Sequence, residues 1–447
     1  MVIAIYGAGY VGLVSAVCFA KMGHRIICAD INPSRVALLR KGECPIHEEG
    51  LQALLEAQLL SGRLHFTASL TEAVQQATVH IVATGTPSLP DGSADLSQIF
   101  AVATALAEDA TTEGLLVIKS TVPVGTGDAV EAHLKRELTR LNKPYQFSVA
   151  SNPEFLREGR ALHDFLQADR IILGGVPVAI DTLKVIYEPM IAAGIPLLCM
   201  SRGSAELTKY AANTMLACRI SFMNQISRIA ERVGASIDDI QAGLGSDHRI
   251  GPHFLQAGIG YGGSCLPKDT RALIQTARTL GIDVPLLEAI DEINHQQKNW
   301  VMDQLKMHFR AVLHGKMIGI WGLSFKPDTD DLREASSLVL IEALLASGAR
   351  VRLFDPVAMP LAKTILPKNA AISWCSSAEE VITTPVDALI IATEWSVFKS
   401  YDLSLLQKAL QEAPLIDGRN CFSLAAVGAA KMAYYYSVGR PRVAFSG

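Results

Sequence analysis

The twelve residues from Gly258 to Asp269, Gly-Ile-Gly-Tyr-Gly-Gly-Ser-Cys-Leu-Pro-Lys-Asp, place a thiol beside unusual backbone freedom and two charges. The glycines ahead of Cys265 let the backbone approach a ligand closely, and Lys268 and Asp269 follow within four residues. Thiolate is the reactive form of cysteine. A free thiol of pKa about 8.5 needs a neighbouring cation or a helix N-terminus to populate it near neutrality. Cys265 is therefore read as a nucleophile. The other cysteines, at 18, 28, 44, 199, 218, 375 and 421, form no C-x-x-C pair and no zinc-like spacing. They read as reduced thiols, mostly small core residues, and no metal site is expected.

A second cluster lies near the start of the chain. Gly7-Ala8-Gly9-Tyr10-Val11-Gly12 follows an apolar run and opens a helical pattern. Glycines at this spacing allow a tight turn, close approach of backbone to a pyrophosphate, and close packing of helix on sheet. The helix N-terminus then offers free N–H groups and partial positive charge to phosphates. Asp30 closes a second apolar run, Arg25-Ile26-Ile27-Cys28-Ala29. There it can accept hydrogen bonds from an adenosine ribose and repel a 2′-phosphate, which favours NAD over NADP. Arg35 is a cation that could tolerate such a phosphate, but it reads better as an exposed helix residue or a further ribose or phosphate contact.

Such groups need rigid elements to hold them. Val2–Tyr6, Arg25–Ala29, 80–83, 115–119 and 147–150 read as buried strands, with helical spacing over Leu51–Leu60 and 96–107 between them. From Ser204 to Val233 a helical pattern runs without Pro or Gly, with Ser204 as N-cap, Glu206 in the first turn and Gly234 as terminator. A helix of that length, about 45 Å, suits a connector and a dimer interface. Alternation resumes at Met317, with strands at Met317–Trp321, Arg350–Phe354, 388–392 and 414–416 and helices at Ser336–Ala346 and 403–409. The fold class expected is α/β: an N-terminal Rossmann domain, a central long helix and a C-terminal Rossmann-like domain, with boundaries near residues 195 and 310.

Composition sets outer bounds. The 447 residues are 49% hydrophobic and 19% charged with a net charge of -4, which fits a compact soluble chain and offers no basic field for nucleic acid. The uncharged stretch 1–20 lacks a basic leader and is interrupted by Gly7, Gly9 and Gly12, so a strand and helix are expected rather than an export signal or membrane span. The expected location is cytoplasmic.

Four further motifs accompany the Cys265 segment. They are Ser120-Thr121-Val122-Pro123-Val124-Gly125-Thr126, Asn152-Pro153-Glu154-Phe155-Leu156-Arg157-Glu158-Gly159, Glu206-Leu207-Thr208-Lys209-Tyr210-Ala211-Ala212-Asn213, and 325–334, Phe-Lys-Pro-Asp-Thr-Asp-Asp-Leu-Arg-Glu. In this order, and over essentially the whole length, the chain resembles the UDP-glucose/GDP-mannose dehydrogenase family. The resemblance implies domains at 1–195 (NAD-binding), 196–310 (dimerisation and catalysis) and 311–447 (binding of the UDP-sugar). It implies a four-electron oxidation of a nucleotide hexose at C6. Cys265 captures the aldehyde as a thiohemiacetal, which gives up a second hydride to form a thioester; hydrolysis then releases the uronic acid, using two NAD per substrate.

The same resemblance assigns roles. Lys209 and Asn213, four apart on one helix face, point at the reacting oxygen; Asp269 and Thr121 hold or activate water; Glu154 assists thioester hydrolysis. The general base stays open among Asp269, Glu154 and Lys209. Singly, Lys209 would read as a snorkelling lysine and Glu154 as a helix-start carboxylate. Cofactor contacts are expected from Gly7, Gly9, Tyr10, Val11, Gly12, Asp30, Arg35, Thr86, Thr121 and Arg333. Substrate contacts are expected from Phe155, Leu156, Arg157, Phe254, Tyr261, Gly262, Lys326 and Arg419, beside Glu154, Lys209 and Asn213, with Arg249 reaching in from a second subunit. Ser264, where the N-acetylmannosamine branch has His, and the run 158–171 favour UDP-glucose; GDP-mannose and UDP-N-acetylhexosamines are the alternatives. The expected partners are UDP-glucose and a second copy of the chain, with no nucleic acid and no membrane. More remote readings are a two-electron hydroxyacid dehydrogenase, which would not need Cys265, and a non-catalytic NAD-binding protein, which would not need a nucleophile.

Overall fold

A computed structural model describes residues 1–444. The chain divides into two compact units: Met1–Ala212 with Ala272–Ile282, and Asn213–Arg271 with the chain from Asp283 onward.

In the first unit the strands are β1 (Val2–Tyr6), β2 (Arg25–Ala29), β3 (Leu64–Thr67), β4 (Val79–Val82), β5 (Gly114–Ile118), β6 (Phe147–Ser151), β7 (Ile171–Gly174) and β8 (Leu197–Met200). They form one sheet in the order β3-β2-β1-β4-β5-β6-β7-β8. Pairing is parallel from β3 through β6, β7 runs antiparallel to β6, and β8 is parallel to β7. Strand β1 shows why these segments read as unbroken apolar runs. Ile3 and Ile5 enter the core on one face while Ala4 and Tyr6 enter the core on the other, so both side-chain sets are buried. Strand order reverses between β1 and β4, the switch point where open α/β sheets bind ligands at their carboxyl ends.

In the second unit the strands are β9 (Met317–Trp321), β10 (Arg350–Phe354), β11 (Ile372–Trp374), β12 (Ala388–Ile391), β13 (Leu415–Asp417), β14 (Tyr434–Ser437) and β15 (Val443–Ala444). Their order is β11-β10-β9-β12-β13-β14-β15. All pairs are parallel except β14 with β15. Tyr434-Tyr435-Tyr436 is strand, with Tyr435 and Tyr436 buried.

The long helix is Arg202–Val233, 32 residues, and it starts two residues earlier than the sequence suggested. Ser204 is not its N-cap. Ser201 holds that place: its hydroxyl accepts from Ser204 N at 3.1 Å and its carbonyl from Ala205 N at 3.0 Å. Gly203 therefore lies inside the helix, and Glu206 lies beyond the first turn. Met215, Phe222, Ile229 and Val233 leave an exposed apolar stripe along it. Among the described residues no helix is long and apolar enough to cross a membrane.

Candidate active site

In the first unit, Gly7 and Gly12 are obligatory for steric reasons. Gly7 has φ +97°, and a Cβ there would lie 2.8 Å from the Ala83 carbonyl oxygen; one at Gly12 would lie 1.8 Å from that of Gly7. Gly9 faces open space, with nothing within 4 Å of its Cβ position. Two glycines thus close the turn and the third leaves room where a pyrophosphate would lie against the backbone, so the residues fit a dinucleotide. The helix Tyr10–Lys21 starts immediately after Gly9. Asp30 accepts from Ala8 N at 2.7 Å, from Asn32 N at 2.8 Å and from Arg35 at 3.1 Å. Three of about four lone-pair sites on the carboxylate are then filled, which leaves one for a ribose hydroxyl. Val11 packs against the core. The Tyr10 hydroxyl donates to Glu48 and accepts from Gly159 N, tying the cofactor turn to the segment that carries Glu154.

Glu154 and Lys209 are buried together, with Oε1 3.3 Å from Nζ. Phe155 lies between cations: Arg170 stacks 3.8 Å from its ring centroid and Lys209 stands 5.0 Å away. Leu156 donates its N–H back to Glu154 and packs on the core, while Arg157 is committed to Asp164 through two guanidinium bonds. Thr86 donates to the Thr121 carbonyl at 2.9 Å. Ser120, Thr121, Pro153, Glu206 and Lys209 line a small pocket. Glu206 is a residue whose role sequence reasoning missed: it accepts from Gly125 N and Gly127 N, both at 2.8 Å, and from Ser151. Burial pushes its carboxyl above the usual carboxylate range.

In the second unit, Cys265 directly precedes the helix Leu266–Thr279 and its carbonyl accepts from Asp269 N at 2.9 Å. Its sulfur lies 3.4 Å from the Ser264 hydroxyl and is partly exposed. Asp269, 1% exposed, accepts from Asn213 Nδ2 at 2.6 Å and from Lys268 at 2.5 Å. Asn213 and Lys209 stand one turn apart on the long helix. The glycine turn before Cys265 is held through its backbone. Gly258 N donates to Asn224, Gln297 to the Gly258 carbonyl, and Asn294 both accepts from Tyr261 N and donates to its carbonyl. A Cβ on Gly262 would meet the Glu334 carbonyl at 2.4 Å. That carbonyl is fixed by the buried Lys298 ammonium at 2.9 Å. Asn294, Gln297 and Lys298 were missed because helical spacing alone gives no sign that polar residues are buried.

Other expected residues are placed as follows. Tyr261 packs in a small core with Ala217 and Ile290. Arg419 donates to the carbonyls of Ala392, Gly260 and Phe325, bracing the glycine turn from the end of β13. Lys326 lies 5.8 Å from the Phe325 ring, and Arg333 is held by Asp331 through both carboxylate oxygens. Arg249 is exposed and grips Asp247, and Phe254 has φ +59°. Burial pushes the thiol of Cys18 up to about 12, and it also raises those of Cys28, Cys44, Cys375 and Cys421.

Comparison with known proteins places the chain in a family. Models of the UDP-glucose/GDP-mannose dehydrogenase family match in chain order: the NAD binding domain over residues 1–191, the central domain over 203–296 and the UDP binding domain over 319–424. The chain belongs to that family. It is 44% identical over 446 residues to a UDP-glucose 6-dehydrogenase of Pseudomonas aeruginosa, covering 99% of this chain and 98% of the relative. A Bacillus subtilis UDP-glucose 6-dehydrogenase is 43% identical over 449 residues, covering 100% and 99%. A UDP-glucose dehydrogenase structure from Pyrobaculum islandicum superposes with a TM-score of 0.90 at 38% identity, covering 98% of each chain. As a member of the UDP-glucose/GDP-mannose dehydrogenase family the chain is an NAD-dependent oxidoreductase.

Proposed function

We propose that this chain oxidises the C6 hydroxymethyl group of UDP-glucose to a carboxylate, through a covalent adduct on Cys265. Bound NAD supplies the hydride acceptor, once for each two-electron oxidation. The observation that carries the reading is the partly exposed Cys265 at the head of a helix, with the bonded pair Asn213–Asp269 beside that helix start. The full-length likeness to UDP-glucose 6-dehydrogenases supports the choice of sugar.

The chemistry follows from what each side chain can do. The alcohol at C6 loses a proton and a hydride to give the aldehyde. The Cys265 thiolate adds to that carbon, the carbonyl π bond opens and the former aldehyde oxygen takes a proton, forming a thiohemiacetal. Loss of the remaining carbon-bound hydride and that hydroxyl proton gives the thioester. Water then replaces sulfur, releasing the carboxylate and returning the thiol; overall one alcohol, one water and two NAD become one carboxylate, two NADH and the protons released to solvent. Developing charge on the C6 oxygen is met by the Lys209 ammonium and the Asn213 amide, which Asp269 holds in orientation. Glu154, beside Lys209, receives a proton from the hydrolytic water. Asp269 and Thr121 position water, and Lys326 and Arg419 supply positive charge toward the pyrophosphate.

The apolar stripe on the long helix supports self-association as a homodimer or larger assembly, with Arg249 of one copy reaching the site of another. NAD and nucleotide sugars as substrates fit a cytoplasmic enzyme.

The test is the number of NADH formed per UDP-glucose consumed, with GDP-mannose and UDP-N-acetylglucosamine in parallel, for the native chain and Cys265→Ser. Two NADH per UDP-glucose, with steady turnover reduced roughly 10³-fold or more in the variant, is expected. One NADH per sugar, or an unaffected variant, sinks the thioester route; turnover with another nucleotide sugar alone moves the substrate.

A further inference from the structure

One buried charge in the first unit has no part in the steps above. Lys119 follows β5 directly and is 3% exposed. Its ammonium donates to Asn152 Oδ1 at 3.2 Å and to the Tyr187 hydroxyl at 3.3 Å. Tyr187 donates to the same Oδ1 at 2.7 Å. Both hydrogen-bond partners of the ammonium are neutral, and the Phe165 ring centroid lies 5.7 Å from it. An ammonium so placed costs free energy that a methionine of similar shape would not. Burial pushes its pKa down to about 8; Glu154 works to raise it, Lys209 to lower it and Cys18 to raise it.

What the ammonium holds is informative. Asn152 is fixed on every side: its N–H donates to the Ile118 carbonyl at 2.8 Å, its amide to the Ile172 carbonyl at 3.0 Å, and its Oδ1 receives Lys119 and Tyr187. Pro153 follows, which restricts the next φ, and then Glu154 meets Lys209 at 3.3 Å. We propose that Lys119 is a positioning residue for the reaction: it grips the Asn152 amide and so fixes the turn that holds Glu154 beside Lys209.

The titratable groups bearing on Lys119 are Glu154, Lys209, Tyr187 and, from the helix Tyr10–Lys21, Cys18. Losing the Lys119 proton above pH about 8 weakens the ammonium's grip on Asn152, loosens the turn that carries Glu154 and slows the hydrolytic step assigned to it. That step rests on the function proposed above. The sign for stability is separate. With its folded pKa below the ordinary lysine value, Lys119 binds fewer protons folded than unfolded in the window between them. Stability therefore rises with pH through that window, and below it the charged lysine is a net cost.

The experiment compares the full chain with Lys119→Met and Lys119→Arg, measuring kcat and KM from pH about 6.5 to 9.5 and thermal melts at both extremes. Expected for Lys119→Met are a kcat about ten-fold or more lower at neutral pH, an unchanged KM for NAD and loss of the alkaline limb near pH 8. Its melting temperature at neutral pH is expected to be no lower than the native one. Lys119→Arg, charged throughout, is expected to restore part of kcat and move the limb upward. Native kcat and limb in Lys119→Met, or activity lost in step with a lower melting temperature, would overturn the proposal. If native turnover needs another nucleotide sugar, the substrate reading fails and the same comparison proceeds with that sugar. If no sugar is turned over, the melts decide: identical pH dependence in native and Lys119→Met chains overturns the buried charge.

Discussion

The two sheets share an order and differ in what their first turn can hold. In each, the first strand lies between the second and the fourth, and an aspartate follows the second strand: Asp30 after β2 and Asp355 after β10. Asp30 takes three hydrogen bonds and keeps a lone-pair site. Asp355, 1% exposed, takes six, from Leu323 N, Ser324 N, Ser324 Oγ, Trp395 Nε1, Val357 N and Ala358 N. In the first sheet a helix starts four residues beyond β1. In the second, residues 322–335 intervene before the helix Ser336–Ala346, so no helix N-terminus follows the strand directly. The same topology thus gives an open glycine turn with room for a ligand in one place and a self-satisfied loop in the other. Strand order supplies the switch point; the turn decides what binds there.

Paired substitutions test that contrast. Gly12→Ala drives a methyl into the Gly7 carbonyl and is expected to raise the Kd for NAD about 100-fold or more by titration calorimetry. Gly322→Ala, with φ +91° and a Cβ 2.4 Å from that of Thr393, is expected to lower the melting temperature while folded protein binds NAD normally. A smaller effect is expected from Asp30→Ala, about 10-fold to 100-fold in KM for NAD with weaker discrimination against NADP. Its counterpart Asp355→Ala is expected to cost about 3 kcal/mol of stability in denaturant melts and leave KM for NAD unchanged. An increase in KM for NAD in Asp355→Ala would break the contrast. The smallest effect concerns acid. Burial works to raise the Glu334 carboxyl, but bonds from Arg271 and Lys298 outweigh it and hold it below the usual range. Its contribution is present above the unfolded carboxylate value and lost as pH falls through the folded one. Glu334 is part exposed, so under about 1 kcal/mol is expected, measured as the difference in acid unfolding between native and Glu334→Gln chains.

Much of this was legible in the residues. Strands β1, β2, β9 and β10 and the helices Leu51–Leu60 and Ser336–Ala346 end where the apolar patterns end, because each pattern buries enough apolar side chains to fix its element. Strands β3 and β8 were missed: each is four residues, β3 carries an exposed His65, and β8 exposes Leu198 and Cys199. Gly203 hid the true start of the long helix, since a glycine reads as a boundary whereas Ser201 supplies the cap. Among the candidate site residues, Cys265 and Asp269 announce themselves by the glycines and charges around the thiol, whereas Lys209 and Asn213 stand out only through the family motif that contains them. Lys119 does not, because a lysine after an apolar strand looks like the strand's solvated end. Asn294 and Lys298 do not either, because nothing in a helical pattern tells which polar face is turned inward.

The cysteines carry a practical consequence. Five thiols, at 18, 28, 44, 375 and 421, are held in the protonated form by burial. An electrophile that seeks thiolate therefore meets a short field of competitors: the exposed Cys199, the half-buried Cys218 and Cys265 itself. With Cys199 and Cys218 replaced by serine, a haloacetamide used in slight excess becomes a titrant of Cys265. The label incorporated then counts the chains in a preparation whose Cys265 is reactive, independently of its total protein.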